Sequence, residues 1–233
     1  PVPIDKAMRI PDAKAALDKE WAKLWKRMTW DKSTVRRKSE AIAESKRNKV
    51  EYHFGKLMAL CHLKHSELSA DKESYKGRIV FRGDNVTDQE GYLAVFSEQG
   101  SSASHMAAGK MLDAIARFPG MYGEEADASS AYTQAEVGGP PTWITLPKNQ
   151  WPKEWHGKYD DSDPPVVRLR LSLYGHPLAG LYWEKHCRAK LLSVGFEPVE
   201  GWECLYFHRK LGLFISVYVD DFKLCGREKL SLI

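Results

Sequence analysis

The feature that most constrains this chain is an apolar strand that runs directly into two adjacent aspartates. The segment LFISVYV, residues 213–219, is followed at once by Asp220 and Asp221, and the apolar pattern then resumes in FKLC. This pattern predicts a buried β-hairpin with both carboxylates at one end of a sheet. Carboxylate oxygens suit Mg²⁺, which takes one or two protein carboxylates and leaves its other positions to water and substrate phosphates. The alternative is ordinary turn chemistry, since aspartate is a favoured turn residue.

A third carboxylate, Asp127, lies in the segment EEADASSAYTQA. We expect it at the end of a strand, just before a short helical turn that extends through Tyr132. If Asp127 lies beside the Asp220–Asp221 pair, the three could hold two metal ions about 3.5–4 Å apart, as in-line phosphoryl transfer uses them. Spacing alone leaves the turn alternative open. Three other aspartates lie in a loop flanked by prolines, where we expect only solvated loop residues: Asp160, Asp161 and Asp163.

Length and charge add limits to these hypotheses. The 233 residues fit one large domain or two small ones. Residues 1–82 carry 20 Lys and Arg against 11 Asp and Glu, whereas residues 83–233 carry 15 against 20. A basic half and an acidic half are expected where one part binds a polyanion and another binds metal ions, although solvated helix faces would give the same count.

The composition also bears on the compartment. No apolar run is long enough to span a membrane, and the N-terminal segment has no apolar signal core, so we expect no membrane partner. The four cysteines are scattered without a C-x-x-C pair, which favours a reducing, intracellular setting. The location within a cell cannot be predicted from these features.

The remaining pattern predicts an α+β fold with an antiparallel sheet. The predicted helices cover Asp12 to Met28 with Asp12 as N-cap, Ser33 to Arg47, Ala103 to Phe118 and Leu178 to Val194. The predicted strands lie around residues 50–54, at Tyr75 to Asp84, up to Asp127, and at Trp143 to Leu146, Val166 to Leu173, Glu203 to His208, Leu213 to Val219 and Phe222 to Cys225.

Several blocks of the sequence, taken in order, resemble the reverse transcriptases of Ty1/copia-type retrotransposons. The tetrapeptide YVDD at residues 218–221 resembles the signature of that class. The segments AMRIPDAKAALDKEWAKL, YKGRIVFRGD, ADASSAYTQA and VVRLRLSLYGHPLAGLYWEKH resemble further blocks of the same polyprotein region. The resemblance covers nearly the whole chain, in the order of the family.

The resemblance implies the fingers and palm of a right-hand polymerase, with an antiparallel palm sheet backed by helices. Residues 1–100 would form N-terminal helices and a basic, fingers-like region, and residues 101–233 a palm-like catalytic region. It further implies that Asp127, Asp220 and Asp221 are catalytic and hold two Mg²⁺ ions, for which Mn²⁺ could substitute. The partners would be a primed RNA or DNA template and deoxynucleoside triphosphates.

The resemblance also implies contacts with the nucleotide and the primer. Ala128 would contribute its carbonyl, and Tyr132 would lie under the sugar and exclude a 2′-hydroxyl, although core packing is an alternative for that ring. The cations Lys76, Arg78 and Arg82 would lie over the triphosphate, or else form a solvated edge strand. Tyr218 would pack near the primer terminus. His176 stands where the family usually has a different residue, and its role stays open.

The activity implied is that of an RNA-directed DNA polymerase. The family pattern predicts a thumb and a ribonuclease H domain, which the sequence up to Ile233 does not contain. The competing hypothesis is an inactive, transposon-derived remnant that acts at most as a nucleic-acid-binding module. In either case, other domains of the retrotransposon polyprotein would be partners if they are present.

Overall fold

The computed structural model describes residues 1–97 and 103–227. In chain order its helices and strands are α1 (Ile4–Ala7), α2 (Pro11–Lys26), β1 (Trp30–Arg37), α3 (Lys38–Asn48), β2 (His53–Lys64), β3 (Ser74–Phe81), α4 (Met106–Ile115), β4 (Tyr122–Asp127), β5 (Thr142–Thr145), β6 (Pro165–Leu169), α5 (Ala179–Ser193), β7 (Glu197–Pro198), β8 (Leu205–His208), β9 (Leu213–Tyr218) and β10 (Asp221–Gly226). None of the helices in these two ranges is long and apolar enough to cross a lipid bilayer.

Contacts between residues divide the chain into two discontinuous units, of which the first consists of Pro1–Val95 and Glu136–Pro177. Its sheet has the strand order β1-β6-β5-β2-β3, and β2 and β5 run parallel while the other neighbours run antiparallel. Helices α1 and α2 pack on β2 and β3, and α2 lies so close to β3 that a side chain at Gly77 would meet its backbone. Two apolar clusters form the core on either side of these strands: Ala7, Ala13, Leu17 and Cys61, and Ala41, Tyr52, Phe54, Trp143 and Val166.

The second unit, Phe96–Ala135 with Leu178–Ile233, contains an antiparallel sheet of order β4-β10-β9-β8-β7. Helix α5 packs on one face of this sheet, through a cluster that includes Trp183 and Val217. Helix α4 packs on the other face, through a cluster that includes Leu112 and Cys225. The sheet is therefore covered by a helix on each face, and its hairpin tip carries the aspartates predicted to be functional.

The predicted α+β class is confirmed in its coarse form, as a mixed structure with two sheets rich in antiparallel pairs. The helix predicted from Ser33 is wrong in its first part, because residues up to Arg37 belong to β1 and the helix begins at Lys38. Strand β1 forms because it pairs with β6 and because the Arg36 guanidinium stacks 4.7 Å from the ring centroid of Trp143. The N-cap predicted at Asp12 is also wrong. Helix α2 begins with Pro11 as its first residue, which proline's fixed φ favours.

The chain passes from the first unit to the second between Val95 and Phe96, close to the predicted boundary at residue 100, and it crosses between the units twice more, after Ala135 and after Pro177. The segment Glu136–Pro177 belongs to the first unit, because β5 pairs with β2 and β6 pairs with β1. The sequence pattern does not indicate that the chain returns to the first unit at Glu136, because pairing between distant strands leaves no local signal.

Candidate active site

The hairpin between β9 and β10 carries the Asp220–Asp221 pair. Tyr218 and Asp221 are opposite each other, so Val219 and Asp220 form a two-residue turn. Val219 has a φ of 56°, in the left-handed range that glycine normally supplies in two-residue hairpin turns. The indole Nε1 of Trp183 donates a hydrogen bond to the Val219 carbonyl oxygen at 2.5 Å. A β-branched residue in this conformation stores backbone strain, which the surrounding contacts must maintain.

The third predicted aspartate lies directly across the sheet from this hairpin. Strand β4 pairs with β10 so that Asp127 is opposite Asp221, and the backbone N–H of Ala128 donates to the Asp220 carbonyl oxygen at 2.7 Å. Residues opposite each other in an antiparallel pair point to the same face. Strand pairing therefore brings Asp127 and Asp221 together on one face, and both side chains are exposed to solvent.

We tested whether these residues fit a divalent metal ion. Within residues 1–97 and 103–227, no group of three or more His, Cys, Asp or Glu side chains is arranged to hold a metal. The three aspartates thus do not form a preassembled cage, and the register brings two of them to one face. Two accessible carboxylates nevertheless suit Mg²⁺, which binds through one or two protein carboxylates and completes its shell with water and phosphate oxygens.

A cleft of about 670 Å³ opens on the face that carries Asp127 and Asp221. One side is formed by the beginning of α4, including Met106, and the other by β4, β9 and β10. At the cleft, the hydroxyl of Ser216 donates to the hydroxyl oxygen of Ser104 at 2.7 Å, and both serines are buried. The two carboxylates therefore line an accessible concave surface within the second unit.

The structure shows the surroundings of the other residues predicted near the aspartates of the candidate site. Tyr218 is 56% exposed and borders the same cleft. Tyr132 and Ala128 are partly buried and pack against the apolar cluster beneath the sheet. The carbonyl oxygen of Ala128 accepts a hydrogen bond from the N–H of Ala131 at 3.1 Å. Tyr132 thus has the core packing that was its alternative, and its predicted contact with a sugar remains a prediction.

The predicted triphosphate cations lie in the first unit and differ among themselves. Lys76 and Arg78 are exposed on the same face of β3, because they are two residues apart in a strand. Burial and the neighbouring charges of Lys64 and Arg78 lower the pKa of Lys76. Arg82 lies beyond the strand and forms an ion pair with Asp84 at 2.8 Å. Lys76 and Arg78 are therefore better suited than Arg82 to bind an anion. They share a face of the strand, and a bound anion would offset the repulsion between their charges.

His176 is a residue whose environment the sequence did not reveal. It is only 5% exposed, and its ring lies 5.0 Å from the ring of Phe81. Burial, assisted by the charge of His53, lowers the pKa of His176 to about 4. The imidazole is therefore neutral at pH 7 and belongs to the interior of the first unit.

The loop aspartates set aside above have structural contacts. Asp160 accepts hydrogen bonds from the backbone N–H groups of Ser162 and Asp163, while Asp161 pairs with Lys148. Asp163 accepts hydrogen bonds from Ser39 in the first turn of α3. Each of the three loop carboxylates therefore has a hydrogen-bond or ion-pair partner within the first unit.

Comparison with known proteins defines the class of this chain. The model of the family described as reverse transcriptase (RNA-dependent DNA polymerase) matches residues 59–232. Because this match spans more than half of the chain, the chain belongs to that reverse transcriptase family. No curated protein and no solved structure matches it. Family membership supports a reverse transcriptase function in general terms, with a nucleic acid template and deoxynucleotides as substrates.

Proposed function

We propose that this chain is the fingers and palm portion of a Ty1/copia-type retrotransposon reverse transcriptase and that it catalyses template-directed DNA synthesis. The observation that carries the proposal is the facing pair of Asp127 and Asp221 at the end of an antiparallel sheet, in a chain of the reverse transcriptase family. The ordered sequence blocks around Asp127 and the YVDD tetrapeptide support the Ty1/copia type.

In this proposal Asp127 and Asp221 would hold divalent ions, with Asp220 and the carbonyl of Ala128 as further oxygen donors. Two bound Mg²⁺ or Mn²⁺ ions would supply charge stabilisation for the transferring phosphoryl group and favour deprotonation of the primer 3′-hydroxyl. The Val219 turn fixes where the hairpin aspartates lie relative to Asp127, since both strands are paired up to the tip.

The other proposed roles concern the substrates. Lys76 and Arg78 bind the triphosphate, because two cations on one strand face match its charge. Arg82 is the weaker candidate of the three, since Asp84 already neutralises it. Tyr132 selects deoxynucleotides by its bulk below the sugar, and Tyr218 supports the primer terminus.

The test is primer extension by the purified chain on primed RNA and DNA templates, with Mg²⁺ or Mn²⁺. We expect Asp221→Asn and Asp127→Asn to reduce synthesis at least about a hundredfold, since losing about 3 kcal/mol of transition-state stabilisation has that effect. Asp161→Asn is the matched control, because it makes the same change at an exposed carboxylate whose partner is Lys148. Synthesis by Asp221→Asn at the wild-type rate would refute the proposed role of the aspartates.

The same preparation tests the remnant hypothesis. A polyanion-binding module without catalysis would bind primed template in a strongly salt-dependent manner and extend no primer with either metal. That result would replace the proposed polymerase activity with nucleic acid binding alone. Metal-dependent extension that the Asp221→Asn variant lacks would instead support the polymerase.

A further inference from the structure

Two neighbouring cross-strand pairs lie on the face of the cleft, one between like charges and one between opposite charges. Asp221 is opposite Asp127, and the next pair on the same face joins Lys223 to Glu125. Like charges directly opposite each other destabilise a sheet, whereas opposite charges stabilise it. Two residues of strand rise about 7 Å, so the second pair lies immediately beside the first. An attractive pair thus adjoins the repulsive one.

The side chain of Lys223 on β10 contacts two other elements. Its Nζ atom lies 2.6 and 2.5 Å from the two carboxylate oxygens of Asp113 on α4, and 3.4 Å from Oε1 of Glu125 on β4. Its aliphatic part passes over Gly109, where a Cβ atom would lie 3.7 Å from the Lys223 Cδ atom. Lys223 on β10 therefore joins α4 and β4 through one charged group.

We propose that Lys223 is a positioning residue for the Asp127–Asp221 pair. Its contacts with Asp113 and Glu125 hold β4, β10 and α4 together against the repulsion between the two aspartates, and so keep both carboxylates where one cation can bind between them. This inference rests on the proposed function for its effect on synthesis. Its effect on cation binding can be measured without any synthesis.

Two simpler roles for Lys223 make different predictions. If Lys223 acted only as a nearby positive charge, its removal would strengthen the binding of a divalent cation, because a repulsive charge is lost. If it only stabilised the fold, its removal would lower the unfolding temperature without changing cation affinity. A positioning role predicts weaker cation binding, since groups that orient metal ligands typically contribute about 10- to 100-fold to affinity or activity.

The test measures Mn²⁺ binding by electron paramagnetic resonance, together with kcat and KM for deoxynucleotide in primer extension. For Lys223→Met we expect about tenfold weaker Mn²⁺ binding and about tenfold lower kcat with little change in KM. Lys223→Arg should restore most of both losses, and Asp113→Asn should show a smaller loss of the same kind. Arg209→Met is the control, because it also removes one positive charge and one ion pair, with Glu197, at the far end of the sheet.

Mn²⁺ binding by Lys223→Met and Asp113→Asn that equals or exceeds that of the wild type would overturn the inference. It would also be overturned if Asp221→Asn left Mn²⁺ binding unchanged, because the cation would then bind elsewhere. If Lys223→Met does not fold, the Lys223→Arg and Asp113→Asn variants decide. If no variant and no wild-type protein extends a primer, but Lys223→Met weakens Mn²⁺ binding, the positioning role stands and the proposed polymerase function fails.

Discussion

Val219 has a left-handed backbone conformation, and we predict that replacing it with glycine raises the stability of the protein and lowers its activity. A left-handed conformation costs an L-residue about 1–2 kcal/mol, and a β-branched residue lies at the upper end of that range. Glycine removes this cost but raises the entropy of the unfolded chain by about 0.4–1 kcal/mol. We therefore expect Val219→Gly to increase the free energy of unfolding by about 1 kcal/mol.

The assay is urea unfolding followed by tryptophan fluorescence, since Trp183 donates its indole hydrogen bond to the Val219 carbonyl. Val219→Asn should also stabilise the protein, because asparagine tolerates the left-handed region. Val219→Ala is the control that keeps a Cβ atom, and it should bring a smaller gain than glycine, because it relieves only the extra cost of β-branching. We expect Val219→Gly to lower the rate of primer extension nonetheless, because a glycine turn fixes the adjacent aspartates less firmly.

Two results would refute this reasoning about Val219. If Val219→Gly lowers the free energy of unfolding by more than about 1 kcal/mol, packing of the valine side chain outweighs backbone strain. If Val219→Ala stabilises as much as Val219→Gly, the strain comes from β-branching and not from the left-handed backbone.

Two further predictions concern His176 and Gly77 in the first unit, and Gly109 in α4 serves as a control for the second. His176 has a pKa of about 4 in the folded state against 6.5 unfolded, so the unfolded state binds the proton first, and stability should fall by about 2 kcal/mol from pH 8 to pH 5. In urea titrations at both pH values, the His176→Gln variant should lose about 2 kcal/mol less stability between pH 8 and pH 5 than the wild type does. If the variant loses as much stability as the wild type, protonation of His176 is not the cause. A Cβ atom at Gly77 would lie 2.7 Å from the backbone oxygen of Ala16, so Gly77→Ala should lower the free energy of unfolding by about 1–3 kcal/mol in the same titrations. Gly109→Ala is its control and should be neutral or up to about 1 kcal/mol stabilising, because Gly109 lies within α4 with only the Lys223 side chain nearby.

Much of the second unit could be predicted from local sequence. Helix α5, strands β8 to β10 and the end of β4 at Asp127 are confirmed within a few residues, because apolar periodicity and turn residues mark them. The short strand β7 was missed, since two residues carry no periodic signal.

The first unit was harder to predict, because its strands depend on distant partners. Strand β1 is rich in charged residues, with a register shift between Asp31 and Arg36 that hides any alternation. Its stabilisation comes from β6 and from Trp143, far along the chain. The parallel pairing of β2 with β5 has the same origin and left no local signal.

At the candidate site, the residue types could be read from the sequence and their arrangement could not. The apolar strand and its two aspartates predicted the hairpin, but only the register of β4 and β10 shows that Asp127 faces Asp221. The same register pairs Lys223 with Glu125, a contact that no spacing in the sequence indicates. The positive φ of Val219 could not be predicted either, because such turns normally carry glycine or asparagine at that position and not a β-branched residue.

The alternation of the chain between two units has a consequence for folding during synthesis. Strand β4 leaves the ribosome long before its partner β10, because residues 128–220 come between them, and residues 136–177 of that segment belong to the other unit. At roughly 5–20 residues per second the wait is on the order of ten seconds, during which β4 has no partner strand. Glu124 and Glu125 place negative charge on that waiting strand. Charges of this kind oppose pairing with other strands, as they do on exposed sheet edges.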